Sequence, residues 1–201
     1  LREWKVAPRR GIIEDFFGEK IADNTQIFQL HMMPEDVTNL ETTLFRIGKL
    51  IDFDDREKKN LLKRLKKRRP WQPIIISDNL TWSEFSKLNL FLHEVQGIKP
   101  VVAVARKYFG DGSSSHLVGY VSDVSIRDLK KSEMLREINI PGLKTGKNGL
   151  EKTLNESMLG KPGLQRFEVN AYGKRIKELK YIQGTVGKNF KITIDQEVQQ
   201  F

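Results

Sequence analysis

Two tripeptides of the chain contain residue types that serve covalent serine catalysis. Ser77-Asp78-Asn79 and Lys144-Thr145-Gly146 match two of the three sequence elements found in one class of acyl-transferring serine enzymes. The third element, S-x-x-K, supplies the nucleophilic serine together with the lysine that activates it from one helical turn away. No serine of this chain is followed by lysine at the third position. We therefore predict that both tripeptides are coincidental and that this chain is not itself an enzyme.

The surroundings of both tripeptides also argue against catalysis. Pro141-Gly142 precedes K-T-G, and Asn148 and Glu151 follow it with the spacing of a helix cap and its reciprocal partner. We expect this region to be a loop that leads into a helix, rather than a strand beside a substrate. The S-D-N tripeptide is expected where a strand at 72–77 leads into a helix that Thr81 caps.

The composition is that of a folded, basic protein, and it excludes several kinds of site. The 201 residues carry a net charge of +9, which favours an anionic partner without identifying it. There is no cysteine, so disulfides, thiolate catalysis and cysteine-ligated metals are excluded. The histidines at 31, 93 and 116 lack the spacing of metal ligands, and we predict no cofactor. No apolar run approaches the roughly 18–20 residues that cross a bilayer. The first residue is Leu1 and not methionine, so we expect a fragment or processed chain, and any membrane anchor would lie outside it.

Strand-like patterns at both ends of the chain bracket a helical middle. Alternating polar and apolar residues predict strands within 10–33 and 164–194. Apolar residues at helical spacing predict three helices in the middle, two of them with capping boxes, Thr38 with Glu41 and Thr81 with Glu84. We predict an α+β fold in which an elongated, strand-rich stalk (residues 1–34 and 140–194) carries an inserted helical head lobe (residues 35–139).

Three stretches resemble, in order, the signatures of a known module. Residues 10–24, RGIIEDFFGEKIADN, resemble R-G-x-I-x-D-R-N-G-x-x-L-A-x-N; residues 106–109, RKYF, resemble R-x-Y-P; and residues 146–151, GKNGLE, match G-x-x-G-L-E. These are signatures of the non-catalytic N-terminal module of class B penicillin-binding proteins. The chain departs from them at Phe16-Phe17, where the family has Arg-Asn, and at Phe109, where it has Pro. Residues 192–199 resemble the entry to the family's transpeptidase domain, so 195–201 would begin the linker into that domain.

The resemblance implies structural roles for the matching motif residues, which are Arg10, Gly11, Asp15, Gly18, Arg106, Tyr108, Gly146, Gly149 and Glu151. We expect the glycines at 11 and 18 to serve a close backbone approach and a turn. The placement of Arg10, Asp15, Arg106 and Glu151 in the three motifs favours a partly buried ion-pair cluster that joins the stalk strands to the helix of Glu151. The alternative is a set of solvated surface charges.

What the resemblance implies about function concerns a larger protein. The chain would be the pedestal (dimerisation) module of a peptidoglycan D,D-transpeptidase of cell-wall elongation, positioning the catalytic domain and docking partners. The expected partners are its own transpeptidase domain, a polytopic glycosyltransferase, a periplasmic scaffold and a second copy in a homodimer. The protein would lie on the periplasmic side of the bacterial inner membrane, and its acylated serine, the penicillin target, would lie outside this chain.

A basic run between 58 and 69 offers a different hypothesis. Its candidate contact residues are Lys63, Arg64, Lys66, Lys67, Arg68 and Arg69. Three leucines give the run one apolar face, so a solvated basic helix is its simplest interpretation. The alternative function is a freestanding protein that binds nucleic acid or another anionic polymer through this run. We do not expect nucleic acid, because no aromatic platform or known reader motif accompanies the run.

Overall fold

The chain contains both helices and strands, often several of one kind in succession, and the predicted α+β class is confirmed. The structure is a computed structural model that describes residues 2–67, 72–110, 112–138, 140, 142–170 and 175–199. Within these residues the strands are β1 (Arg2–Val6), β2 (Ile13–Glu14), β3 (Lys20–Met32), β4 (Ile74–Leu80), β5 (Ile98–Tyr108), β6 (Val121–Asp123), β7 (Lys144–Gly146), β8 (Gly163–Val169), β9 (Arg175–Ile182) and β10 (Phe190–Lys191). The helices are α1 (Leu40–Leu50), α2 (Asp55–Lys67), α3 (Trp82–Leu90), α4 (Ser115–Val118), α5 (Ile126–Lys131), α6 (Glu133–Ile138), α7 (Gly149–Thr153), α8 (Asn155–Met158) and α9 (Gln196–Gln199).

The chain divides into two compact units. One unit is Gln26–Val104, and the other comprises the residues up to Thr25 together with those from Ala105 onward. The chain passes from one unit to the other within β3 and β5. The unit boundaries therefore fall inside long strands, whereas the sequence patterns placed boundaries at 34 and 139. The stalk-and-head division stays a prediction.

In the unit Gln26–Val104, β4 pairs antiparallel with β3, and the helices cover a core of buried aliphatic side chains. The box of Thr81 and Glu84 is confirmed at the start of α3, since each side chain binds the other residue's backbone N–H. The predicted box of Thr38 and Glu41 is wrong. The side chain of Asn39 accepts the N–H of Thr42 at 3.1 Å instead, so α1 begins one residue later.

The described strands of the other unit pair in three separate groups. Strands β1, β8 and β9 form an antiparallel sheet, and β6 pairs with β7. Strand β10 pairs parallel with β2, which in turn pairs antiparallel with β3. A small core lies beside this last ladder and consists of Ile13, Ile21, Ala22, Val118 and Met158. Among the described residues, no helix combines the length and the apolar character needed to cross a bilayer.

Both tripeptides, S-D-N and K-T-G, lie in strands. K-T-G forms β7, where Thr145 pairs with Ser122, so the predicted loop at this position is wrong. S-D-N lies within β4, which extends beyond its predicted end. Asn148 does precede α7, but its side chain makes no capping bond. The predicted bond from the Asn148 backbone N–H to the Glu151 side chain is also not made. The Glu151 carboxylate accepts hydrogen bonds from two arginines instead.

Candidate functional site

A single buried carboxylate joins two arginines that are far from it in sequence. Glu151 of α7 is 0% exposed; its Oε2 accepts Arg10 Nε at 2.5 Å and its Oε1 accepts Arg106 Nε at 2.7 Å. The arginine side chains are 7% and 3% exposed. Arg10 precedes β2 and Arg106 lies in β5. Three separate chain segments therefore meet at one charge-assisted, hydrogen-bonded centre.

Further hydrogen bonds extend this centre into the backbone. Arg10 donates from Nη2 to the Glu151 carbonyl at 2.7 Å and from Nη1 to Asn155 Oδ1 at 2.9 Å. Arg106 Nη1 donates to the Gly11 carbonyl at 2.7 Å. The Tyr108 hydroxyl lies 3.5 Å from Glu151 Oε1 and accepts the N–H of Val121 at 3.0 Å. We call Arg10, Arg106, Tyr108, Glu151 and Asn155 the Glu151 cluster.

The electrostatics of the Glu151 cluster are set by burial and by an excess of positive charge. Two guanidinium groups share one carboxylate, so the three charges sum to +1. Burial lowers the pKa of Arg10, and the adjacent Glu151 carboxylate opposes that effect. Burial also raises the pKa of Tyr108 to about 12, with a further contribution from Glu151, so this hydroxyl stays protonated. Among the described atoms, Arg106 Nη2 is buried without a hydrogen-bond partner.

The motif glycines let backbone segments approach the cluster closely. A Cβ on Gly146 would lie 1.9 Å from the Glu151 carbonyl, and one on Gly11 would lie 1.9 Å from the Lys188 carbonyl. Gly149 has φ +57° at the start of α7, where a Cβ would meet Leu117. Gly18 lies apart from the cluster, in a turn, with φ +93°. Any larger residue at 11 or 146 would force these segments apart.

Asp15 does not join the cluster, so the predicted set of four charges is reduced to three. Its buried carboxylate organises the turn around Gly18, accepting the N–H groups of Phe17 at 2.9 Å and Glu19 at 2.8 Å. Its second oxygen accepts the N–H of Gln196 at 3.4 Å. Burial alone would raise the pKa of Asp15, but these backbone donors outweigh it and leave the pKa lowered.

The C-terminal segment, residues 187–196, is hydrogen-bonded along the stretch that carries Arg10 and Asp15. The backbone N–H groups of Gly187, Phe190 and Ile192 donate to the carbonyls of Arg9, Ile12 and Glu14 at 2.8–2.9 Å. The N–H of Phe16 donates back to Ile194 at 2.8 Å. The Glu151 cluster thus fixes one strand of a ladder whose other strand is the C-terminal segment.

The basic run is only partly described. Lys63 and Arg64 lie exposed on α2, whereas Leu61 of the same helix is buried. The backbones of Lys66 and Lys67 end that helix, while Arg68 and Arg69 lie outside the described residues. No metal-binding group of histidine and acidic side chains occurs within the part of the chain that the structure describes. A contact surface on this run stays a prediction.

Sequence reasoning missed Asn155, which links two parts of the cluster. Its Oδ1 accepts both Arg10 Nη1 and the N–H of Gly146 at 3.0 Å. A signal was present, because Asn155 lies four residues after Glu151 and such a pair shares one face when helix continues between them.

The comparison with known families agrees with this architecture. The family model described as "Penicillin-binding Protein dimerisation domain" matches residues 5–192. The chain therefore belongs to the penicillin-binding protein dimerisation-domain family. This confirms the family that the three motifs indicated.

Similar proteins include peptidoglycan transpeptidases of several bacteria. The chain is 29% identical over 199 residues to peptidoglycan D,D-transpeptidase MrdA of Escherichia coli, covering 98% of this chain and 31% of that protein. It is 26% identical over 198 residues to MrdA of Haemophilus influenzae, covering 98% of this chain and 30% of that protein. The chain thus spans about three tenths of the length of the curated relatives it matches.

Solved structures show the same fold. One is the complex between penicillin-binding protein PBP2 and MreC from Helicobacter pylori, with TM-score 0.74, 25% identity, and coverage of 99% of this chain and 37% of that one. Another is penicillin-binding protein 2B of Streptococcus pneumoniae, with TM-score 0.74 and 18% identity, covering 98% of this chain and 42% of that one. The second likeness concerns the fold alone.

Proposed function

We propose that this chain is the non-catalytic pedestal module of a peptidoglycan D,D-transpeptidase that acts in cell-wall elongation. The family assignment and the transpeptidase relatives support the class of protein. The chain has no S-x-x-K, so the acylated serine would belong to a domain that follows it. The module would lie on the periplasmic side of the inner membrane, with its transmembrane anchor outside this chain.

The observation that carries the positioning role is the ladder along the C-terminal segment. Residues 187–196 lead toward the C-terminal end of the described residues, and they are hydrogen-bonded to residues 9–16. Arg10 is itself held by the buried Glu151. A domain attached after this segment would inherit a defined starting direction from the Glu151 cluster, which is what a pedestal requires.

We further propose that the module docks a periplasmic scaffold protein. The support is a structural relative at 25% identity whose printed description is a complex of PBP2 with MreC. The proposed function has three further partners. They are a polytopic glycosyltransferase, the attached transpeptidase domain and a second copy of the chain.

Labelling of the full-length protein with a fluorescent penicillin tests this function. We expect one labelled serine, identified by mass spectrometry of the labelled peptide, at a position beyond residue 201. A label on any serine within 1–201, or no label on a folded full-length protein, would refute the proposal. Scaffold docking is tested separately by the affinity of the full-length protein for the purified scaffold of the same organism, and the absence of binding would refute that part alone.

A further inference from the structure

Two exposed phenylalanine rings stand on a well-fixed turn beside the C-terminal segment. The side chains of Phe16 and Phe17 are 56% and 69% exposed, and their ring centroids lie 5.2 Å apart, edge to face. The backbone holds this turn, because the Asp15 carboxylate accepts the N–H of Phe17 and the N–H of Phe16 binds the Ile194 carbonyl. The rings therefore face solvent on an ordered backbone.

The surroundings of the rings have the composition of a contact surface. Lys191 Nζ lies 5.8 Å from the Phe16 ring. Helix α9 starts at the Asp15 carboxylate, through the N–H of Gln196, and carries the exposed Val198. Large apolar side chains that an ordered backbone keeps in water favour burial against another surface, and such patches mark interaction sites.

We propose that Phe16 and Phe17 form the seat for the folded domain that follows this module in the same polypeptide. The inference rests on the proposed function, which places a transpeptidase domain after the chain. The family match ends at residue 192, and the matched relatives are about three times longer than this chain. On the proposed function, the polypeptide that leads to this domain would leave from α9, whose first residue donates its N–H to Asp15, the residue before Phe16.

The tether is the reason to prefer this occupant to others. A domain in the same polypeptide is present at a high effective concentration, whereas a partner protein or a second copy must bind from solution. The seat also explains why the chain carries two phenylalanines at a tight turn, a position where polar residues and glycine usually dominate.

Site-specific photocross-linking in the full-length protein tests the seat. Phe17→p-benzoylphenylalanine leaves an aromatic group at the exposed position, and the cross-linked peptide is sequenced by mass spectrometry. We expect a monomeric product in which position 17 is joined to a residue beyond 201. The control is the same substitution at Phe45, which is 64% exposed on α1 and lies in the other unit. It should not give that product.

A product that contains another protein, a dimer-sized product or the absence of any product from position 17 would each overturn the seat. The penicillin label separates this result from the proposed function. If a serine beyond 201 is labelled and position 17 cross-links elsewhere, only the seat is wrong.

A paired substitution gives a second measurement that needs no cross-linker. In the full-length protein, Phe16→Ser with Phe17→Ser should increase the rate of proteolytic cleavage after residue 195 by roughly tenfold or more, because the burial of even one phenylalanine side chain contributes about a factor of ten to a closed state. Phe45→Ser should leave this rate unchanged. Equal rates in the paired variant and the wild type would overturn the seat.

Discussion

Removing the negative charge of Glu151, while keeping its shape, should destabilise the unit that contains the Glu151 cluster. Glu151→Gln leaves two guanidinium groups, 7% and 3% exposed, without their shared counter-charge. The amide keeps one acceptor oxygen, so the packing is preserved while one of the two charge-assisted bonds is lost. Breaking a buried ion pair from one side costs about 3–5 kcal/mol. For a unit of this size, that loss lowers the melting temperature by roughly 10–20 °C.

The same substitution at an exposed pair is the matched control. Glu3 Oε1 accepts Arg166 Nε at 2.8 Å, a geometry close to that of the cluster, but these side chains are 49% and 44% exposed. Glu3→Gln should therefore cost no more than about 1 kcal/mol. Both variants are measured by calorimetric unfolding in the same buffer at pH 7. Equal melting temperatures for Glu151→Gln and Glu3→Gln would refute the reasoning. Burial would then have no effect on how much a carboxylate charge contributes to the free energy of unfolding.

Three further substitutions probe the same unit. Gly146→Ala places a Cβ 1.9 Å from a backbone carbonyl and should lower the free energy of unfolding, measured in urea, by about 3 kcal/mol or more. The control is Gly48→Ala in α1, where a Cβ has open space. It should be neutral or stabilising by up to about 1 kcal/mol. Asn155→Ala leaves Arg10 Nη1 and the Gly146 N–H without their acceptor and should cost about 1–3 kcal/mol, while no loss on urea unfolding would contradict the bonding pattern. Lys147 and Ser125 lower the pKa of Asp128 to about 2, so its ionised form is favoured by folding. Asp128→Asn should therefore cost about 1 kcal/mol at pH 7, and a pH series of unfolding curves should show this difference shrinking as the pH falls from about 4 toward 2; a difference that grows on acidification would refute the assignment.

Local signals in the sequence predicted much of the secondary structure but little of its pairing. Helix α2 is one of the three helices that apolar spacing predicted, and strand β9 lies within 164–194, where alternation predicted strands. Both patterns are local, because a few neighbouring residues are enough to define them. K-T-G was expected in a loop because its flanks contain glycine, proline and asparagine. It forms a strand because it pairs with β6. Pairing with a segment about twenty residues away has no signal in the three residues themselves.

The candidate site was predictable in its members and not in its geometry. The family motifs indicated Arg10, Arg106 and Glu151, and the structure brings these three together. Asp15 belongs to the same motif as Arg10, but its carboxylate is used by backbone N–H groups two and four residues further on. Some aspartates organise their own turn and others pair with a distant arginine. The local sequence is the same in both cases, an aspartate a few residues before a glycine, so sequence alone does not distinguish them.

The cost of burying charge suggests what the Glu151 cluster does for the fold. A buried ion pair is weak evidence for stability, since apolar residues of similar volume often serve as well. What apolar packing lacks is direction: the guanidinium of Arg10 must meet the carboxylate and the carbonyl of Glu151 and the amide of Asn155 in one orientation. Arg106 adds the Gly11 carbonyl to the same arrangement. These bonds set the register of three segments that are 45 to 141 residues apart in sequence, and the C-terminal segment is hydrogen-bonded to one of them. A module whose proposed task is to position another domain needs that defined register more than it needs additional free energy of folding.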